Sequence, residues 1–148
     1  MKVEIRDTAF NPWEELQRYE NETLHNHAAG KYGASAVFVG TMRDFNQGDA
    51  VQGMSLEHYP GMTEKELQRI VDEARERWPL LDELVLHRVG ALQPNDPIVL
   101  VAVWSAHRRE AFEACRHIME ALKSRAPLWK KEELEEGARW VDNNTDGY

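Results

Sequence analysis

Between Ser105 and Glu110 the chain reads SAHRRE, at the point where a long amphipathic helix is predicted to begin. A helix N-terminus carries partial positive charge and is stabilised by Asp or Glu, so His107, Arg108 and Arg109 run against the local preference. Unpaired helix N–H groups beside forked guanidinium groups make a receptor for an oxyanion such as phosphate, and a bound anion turns the local penalty into a gain. The competing reading is a solvated face on which Glu110 and other acids neutralise the arginines, and the residues alone leave both open. Lys123 stands near the far end of the same predicted helix. A rotation of about 100° per residue puts it on the flank of the apolar stripe, at the edge of a core. A lysine held partly out of water near other cations releases its proton more readily and can act as a base or nucleophile near neutral pH. Lysines in a last turn are also favoured by the helix dipole or simply snorkel to solvent, and spacing does not separate these roles. Lys130 and Lys131 follow Pro127 and Trp129. The proline sets the chain's exit from the helix and could turn one lysine back towards Lys123, while alternation sends the other away. Trp129 is expected as a core or rim anchor, with a stacking platform as the alternative.

Other reactive side chains point to no second chemistry. His25 and His27 fall in a polar segment, and no histidine pair elsewhere has the i, i+4 spacing of a helical zinc motif, so no metal and no cofactor are expected. Cys115 lies on the apolar stripe, where a buried, inert thiol is expected. It is the single cysteine, which excludes an internal disulfide and dithiol redox chemistry. If sulfur is handled, another protein must carry it.

The elements that position these residues follow from pattern. Val3 and Ile5 alternate as a short strand, and Pro12 opens a short helix through Tyr19. The polar segment from Asn21 to Lys31 is expected to be a loop. Gly33 to Arg43 is β-rich and runs into the turn-forming DFNQGD, after which Val51 to Tyr59 alternates as a strand expected to pair with the first across that loop. Pro60 and Gly61 break it. Thr63 and Glu66 have the spacing of a capping box for a helix to Trp78, closed by Pro79. Strands at Glu83 to Val89 and Ile98 to Trp104 flank the turn QPNDP, and the second is apolar on both faces, as a doubly covered strand is. A second long helix is expected from about Ala106 to Arg125, with Ala111, Phe112, Cys115, Ile118, Met119 and Leu122 as its stripe.

The remainder, LWKKEELEEGARWV, is charge-dense, and DNNTDGY, residues 142–148, is expected to fray. Strands alternating with two long helices predict an α+β or α/β sandwich, and 148 residues fit one domain spanning 1–148. Hydrophobic residues at 42% and charged residues at 30% describe an ordered globule. A net charge of -8 argues against nonspecific nucleic-acid binding, so any basic site is local. The longest apolar stretch, Ile98 to Trp104, is too short to span a bilayer, and MKVEIRDTAF lacks the flanks of a signal peptide, so a cytoplasmic location is expected.

Six segments in order, GASAVFVGTMRDFNQG, LEHYPGM, HRVGAL, SAHRREAFEA, LKSRAPLWKKE and GARWV, together resemble the molybdopterin synthase catalytic (large) subunit family. The resemblance covers most of the chain, from about Gly33 to Val141. It implies an α+β hammerhead-like sandwich with a mostly antiparallel sheet, two long helices and a small β subdomain. It also implies a sulfur transferase that converts cyclic pyranopterin monophosphate to molybdopterin. The sulfur donor is then a small ubiquitin-like partner whose C-terminal Gly-Gly tail is a thiocarboxylate, and the assembly is a heterotetramer around a central homodimer. The family's essential lysines fall on Lys123 and Lys130, and its anion-binding residues on Arg43, His107 and Arg108. Both reactants are anionic, so these five side chains are expected to furnish a cationic, water-poor pocket, and the family's central dimer implies that a neighbouring protomer can supply parts of it. Two alternatives remain at this level: a partner-independent phosphate-binding acyl or phosphoryl transferase, and a non-catalytic binder of a ubiquitin-like tail.

Overall fold

A computed structural model describes residues 1–43, 45–46, 49–134 and 137–140, with side chains described for 1–43 and 53–130. In chain order the elements are β1 (Lys2–Arg6), α1 (Pro12–Tyr19), a π-helical turn (Glu20–Leu24), α2 (His25–Ala28), β2 (Ala34–Thr41), β3 (Phe45–Asn46) and β4 (Asp49–His58). They continue with α3 (Met62–Arg77), β5 (Leu80–Arg88), β6 (Gly90–Leu92), β7 (Pro97–Ser105), α4 (Arg108–Arg125), β8 (Leu128–Leu134) and β9 (Gly137–Trp140). The architecture is the α+β arrangement the sequence predicts, with two long helices and two sheets.

The first sheet has the order β1-β5-β7-β2, and every pairing except the parallel β1–β5 is antiparallel. β7 is buried at every position from Val99 to Ser105 because helices cover both faces of this sheet. Val99, Val101 and Val103 pack towards α3 and α4, meeting Leu67, Ile70 and Ile118. Leu100, Ala102 and Trp104 pack the other way, onto Phe10, Tyr19 and Leu24. A strand apolar on both faces is stable only between two layers, which is why its composition was readable as a buried strand.

Three expectations about local structure are corrected. The segment from Asn21 to Lys31 is mostly helical, because Leu24 and Ala28, one turn apart and both fully buried, dock on the second face of the sheet. β2 pairs with β7 rather than with β4. β2 is apolar on both sides, with Ala36 in one core and Val37 and Val39 against the other, so it belongs in the doubly covered sheet. The α3 cap lies two residues before the expected box: Gly61, at φ 86°, is the N-cap, and its N–H donates to Glu64 Oε2 at 3.1 Å. Glycine adopts that backbone conformation without a Cβ penalty. Thr63 is thereby released for another task, since its hydroxyl accepts the Tyr59 N–H and donates to the Pro127 carbonyl, each at 2.9 Å.

The second sheet has the order β3-β4-β8-β9, with β6 also on β4. The charge-dense terminal stretch thus forms a hairpin, although Lys130 to Glu133 is an unbroken charged run. A strand covered on one face needs apolar residues only at alternate positions, and Leu128 supplies one against Met54 and Leu56 of β4.

On β5, facing α1 and α2, Asp82 is 1% exposed yet accepts from Tyr19 Oη at 2.8 Å, the first residue's ammonium at 2.8 Å and the Glu83 N–H at 2.8 Å. His27 Nε2 also lies 2.8 Å from its second oxygen. Burial opposes ionisation, but these bonds outweigh it and hold the carboxyl below its usual range. A depressed carboxyl contributes stability that is present above its unfolded value and is lost as pH falls through the folded one. Asp82→Ala is therefore expected to cost on the order of 3 kcal/mol at neutral pH by orphaning buried donors, and to flatten the acid limb of a plot of Tm against pH. An unchanged acid limb in calorimetry would exclude this account.

Candidate active site

α4 ends where Ala126 leaves helical geometry ahead of Pro127. The Pro127 carbonyl is held by Thr63, a fully buried side chain at the start of α3, so the chain emerges from the helix in one direction and enters β8 directly. β8 then runs antiparallel to β4 with Lys130 opposite Leu56 and Leu128 opposite His58. Alternation along β8 turns Leu128 and Lys130 to the inner face and leaves Trp129 47% exposed on the other, its ring 6.4 Å from that of Tyr59. Trp129 is a rim aromatic.

Lys123, in the last turn of α4, and Lys130 line one cleft together with Leu56, His87, Leu122 and Leu128. Residues seven apart in sequence and on different kinds of element are brought together by the reversal at Pro127. Both lysines are partly buried, and the walls between them are largely aliphatic, so their charges are less screened than on an open surface. The cavity measures about 20 Å³, space for roughly one water. A molecule larger than water therefore reaches the amines only at the mouth of the cleft.

Reading the sequence for chemistry passed over His87, a 5% exposed residue in this cleft. It follows Val85 by two on β5 and so shares its helix-facing side; that period-two placement was the available signal. Its Nδ1 donates to the Arg88 carbonyl oxygen at 2.9 Å, an acceptor that requires the proton on Nδ1. Burial first, then the charges of Lys123, Lys130 and His58, push the imidazole down to about 4 against the opposing effect of that hydrogen bond. His87 is neutral at physiological pH.

The remaining three basic residues of the expected pocket lie elsewhere. His107 is the N-cap of α4 in extended conformation and Arg108 is its first residue, both exposed. Fifteen residues at 1.5 Å each separate Arg108 from Lys123 by roughly 22 Å along the helix. Arg43 follows the end of β2 and is exposed. Of the five, Lys123 and Lys130 share one cleft within the chain, while Arg43, His107 and Arg108 lie outside it. A rigid helix cannot bring its own two ends together.

The α4 N-terminus is nevertheless built in place. Gly33 N–H donates to the Ser105 carbonyl at 3.0 Å, and a Cβ on Gly33 would collide with the Ala106 carbonyl oxygen. Ser105, fully buried, donates its hydroxyl to the His107 carbonyl at 2.6 Å. Arg109 pairs with Glu113 at 3.1 Å, as the solvated-face reading requires. Arg108 pairs with no carboxylate among the described residues, so neutralisation accounts for only one of the two arginines.

Between β2 and α4 runs a groove of about 580 Å³ whose walls include Phe38, Phe112, Cys115, Arg116 and Met119. Phe112 was expected in the core stripe but is 68% exposed on this groove; Ala114 and Ala121 occupy buried positions on α4 instead. Cys115 is 7% exposed, and burial raises its thiol to about 11, so it is protonated and inert at neutral pH.

Comparison with known proteins fits these observations. Residues 13–125 match the family described as MoaE protein, a span that includes His107, Arg108 and Lys123. The molybdopterin synthase catalytic subunit of Pseudomonas aeruginosa is 52% identical over 142 residues, covering 96% of this chain and 91% of that protein. Molybdopterin synthase from Staphylococcus aureus has the same fold with a TM-score of 0.82 at 34% identity, covering 97% of this chain and 99% of that one. The fold recurs in a complex of subunits 1 and 2 of molybdopterin-converting factor from Helicobacter pylori, at a TM-score of 0.78 and 22% identity, covering 97% of this chain and 92% of that one. Among the described residues no helix is long and apolar enough to cross a membrane. By sequence over nearly its whole length, and by fold, this chain belongs to the MoaE protein family of molybdopterin synthase catalytic subunits.

Proposed function

We propose that this protein transfers sulfur to cyclic pyranopterin monophosphate, forming the dithiolene of molybdopterin, and takes the sulfur from the C-terminal Gly-Gly thiocarboxylate of a small ubiquitin-like partner subunit. The observation that carries the reading is the convergence of Lys123 and Lys130 on one cleft beside a neutral histidine. Each transfer forms a carbon–sulfur bond to the pterin and, with water, breaks the acyl carbon–sulfur bond, returning the tail as a carboxylate. Opening the cyclic phosphate releases an oxygen that needs a proton and a nearby positive charge. Lys123 is the general acid/base, or transient acyl acceptor, nearest the reacting carbons, and Lys130 orients or protonates. The inert Cys115 supports a donor supplied by the partner, since the chain's single thiol is held protonated.

Arg43, His107 and Arg108 bind the phosphate, and the length of α4 decides how. The midpoint between Arg108 and Lys123 falls at Cys115 and Arg116, on the open groove against β2. A second copy packed there about a two-fold axis, with its α4 antiparallel, sets Arg108 of the partner subunit over Lys123. We therefore assign the phosphate and lysine halves of each site to different protomers of the homodimer. Ile5 and Leu128 pack against the cores of both sheets, which supports treating residues 1–148 as one domain. A cytoplasmic setting suits a sulfur donor that must not be oxidised.

The test is purified protein with pterin precursor and thiocarboxylated partner: dithiolene product is expected, and its absence overturns the proposal. Omitting the partner should abolish product, which separates this reading from a transferase working alone. Arg108→Ala is expected to weaken precursor binding by about 10- to 100-fold, the loss of a charge-assisted hydrogen bond of roughly 1.5–3 kcal/mol, and to leave partner affinity nearly intact. Calorimetry giving the opposite order would refute the phosphate role.

A further inference from the structure

His87 has no part in the chemistry derived so far, yet it lines the same cleft as the two lysines. It stands on β5 next to β1 and β7, with Ile5 and Val99 as its register neighbours, so the strands on either side present apolar residues at its level. The charged or titratable groups that act on it are Lys123 from α4, Lys130 from β8 and His58 from β4. A buried histidine must find an acceptor for its ring N–H, and the choice of acceptor fixes its tautomer. This one has its Nδ1 proton committed to the Arg88 carbonyl, which leaves the lone pair of Nε2 as the ring's other polar site.

We propose that His87 is a positioning residue for the lysine pair, its Nε2 lone pair serving as the uncharged acceptor that holds a lysine ammonium of the cleft in its working orientation. This rests on the sulfur-transfer reading for its consequence in catalysis, though not for its geometry. An acceptor here must be neutral. A carboxylate would bind the ammonium as a salt bridge and repel both anionic reactants, whereas a protonated imidazole would present a third cation and no lone pair. Burial keeps the ring in the state that satisfies both conditions, and the hydrogen bond to Arg88 keeps the acceptor nitrogen from becoming the donor.

The first test needs no substrate. Long-range proton–nitrogen NMR on the unmodified protein is expected to show His87 neutral, with Nδ1 protonated, across roughly pH 6 to 8. Replacing both Lys123 and Lys130 by methionine should move the Nε2 resonance towards that of a free imidazole nitrogen. Detection of an Nε2–H tautomer, a titration within that range, or an Nε2 signal indifferent to the lysine replacements would overturn the proposal. The second test compares variants in the reconstituted complex against wild type. His87→Leu is expected to lower kcat by about 10- to 100-fold, the effect of a misplaced catalytic group, with KM changed by less than about threefold. His87→Gln, which keeps an uncharged acceptor, is expected to recover most of that loss. Equal impairment of the two variants in soluble, folded protein would assign His87 to packing alone. A wild-type complex that makes no dithiolene would count against the functional reading and leave the NMR outcome to decide His87.

Discussion

Lys123→Ala is expected to slow dithiolene formation by on the order of 10²–10⁴-fold, the range spanned by loss of a positioned proton-transfer group. The side chain sits at the rim of the core and not within it, so unfolding should change little while catalysis collapses. Lys123→Arg sharpens the point. It retains positive charge beside the anionic reactants, but a guanidinium does not shed its proton near neutral pH, and its planar fork does not fit a cleft sized for about one water. Near-wild-type turnover in the arginine variant would show that Lys123 acts only as a charge. Single-turnover assays with saturating partner read the chemical step directly, and a loss below tenfold in the alanine variant would remove Lys123 from the reaction.

The second large effect is a gain. Lys123→Ala and Arg108→Ala proteins, each nearly inactive alone, should recover about one quarter of wild-type activity when their protomers are mixed and allowed to exchange. Random exchange makes half the dimers mixed. If a site takes its lysine from one protomer and its arginine from the other, a mixed dimer has one site with both groups intact and one with neither. A site built within a single chain would gain nothing, because every chain carries one defect. The prediction follows from a length: at roughly 22 Å along a straight helix, Arg108 and Lys123 of the same chain cannot flank one phosphate-bearing substrate. Activity that stays at the sum of the separate variants after verified exchange would refute the shared site.

Legibility of the fold varied with how local its determinants are. β7 and α4 were readable because their apolar periodicity depends on nearest neighbours in sequence, and both long helices end at prolines. The segment after α1 was misread as a loop because only Leu24 and Ala28 in it are buried, a signal two residues wide amid polar neighbours. Strand partnership was also out of reach for β2 and β4. Their proximity in sequence favours pairing, but the choice is made by which sheet can cover both faces of β2, a property of the whole core. The same limit hid Thr63, whose hydroxyl serves Pro127 and not its own helix.

For the site, residue types and motif order single out both lysines and the arginine at the helix start as candidates, since their chemistry is written in the side chains themselves. What the tertiary structure decided is who meets whom. The reversal at Pro127 brings Lys130 to Lys123, the pleat of β5 turns His87 into the same cleft, and the rigidity of α4 keeps Arg108 away. Side-chain identity is a local property of a polymer, whereas proximity between distant residues is set by how the layers pack, and only the packed chain contains that information.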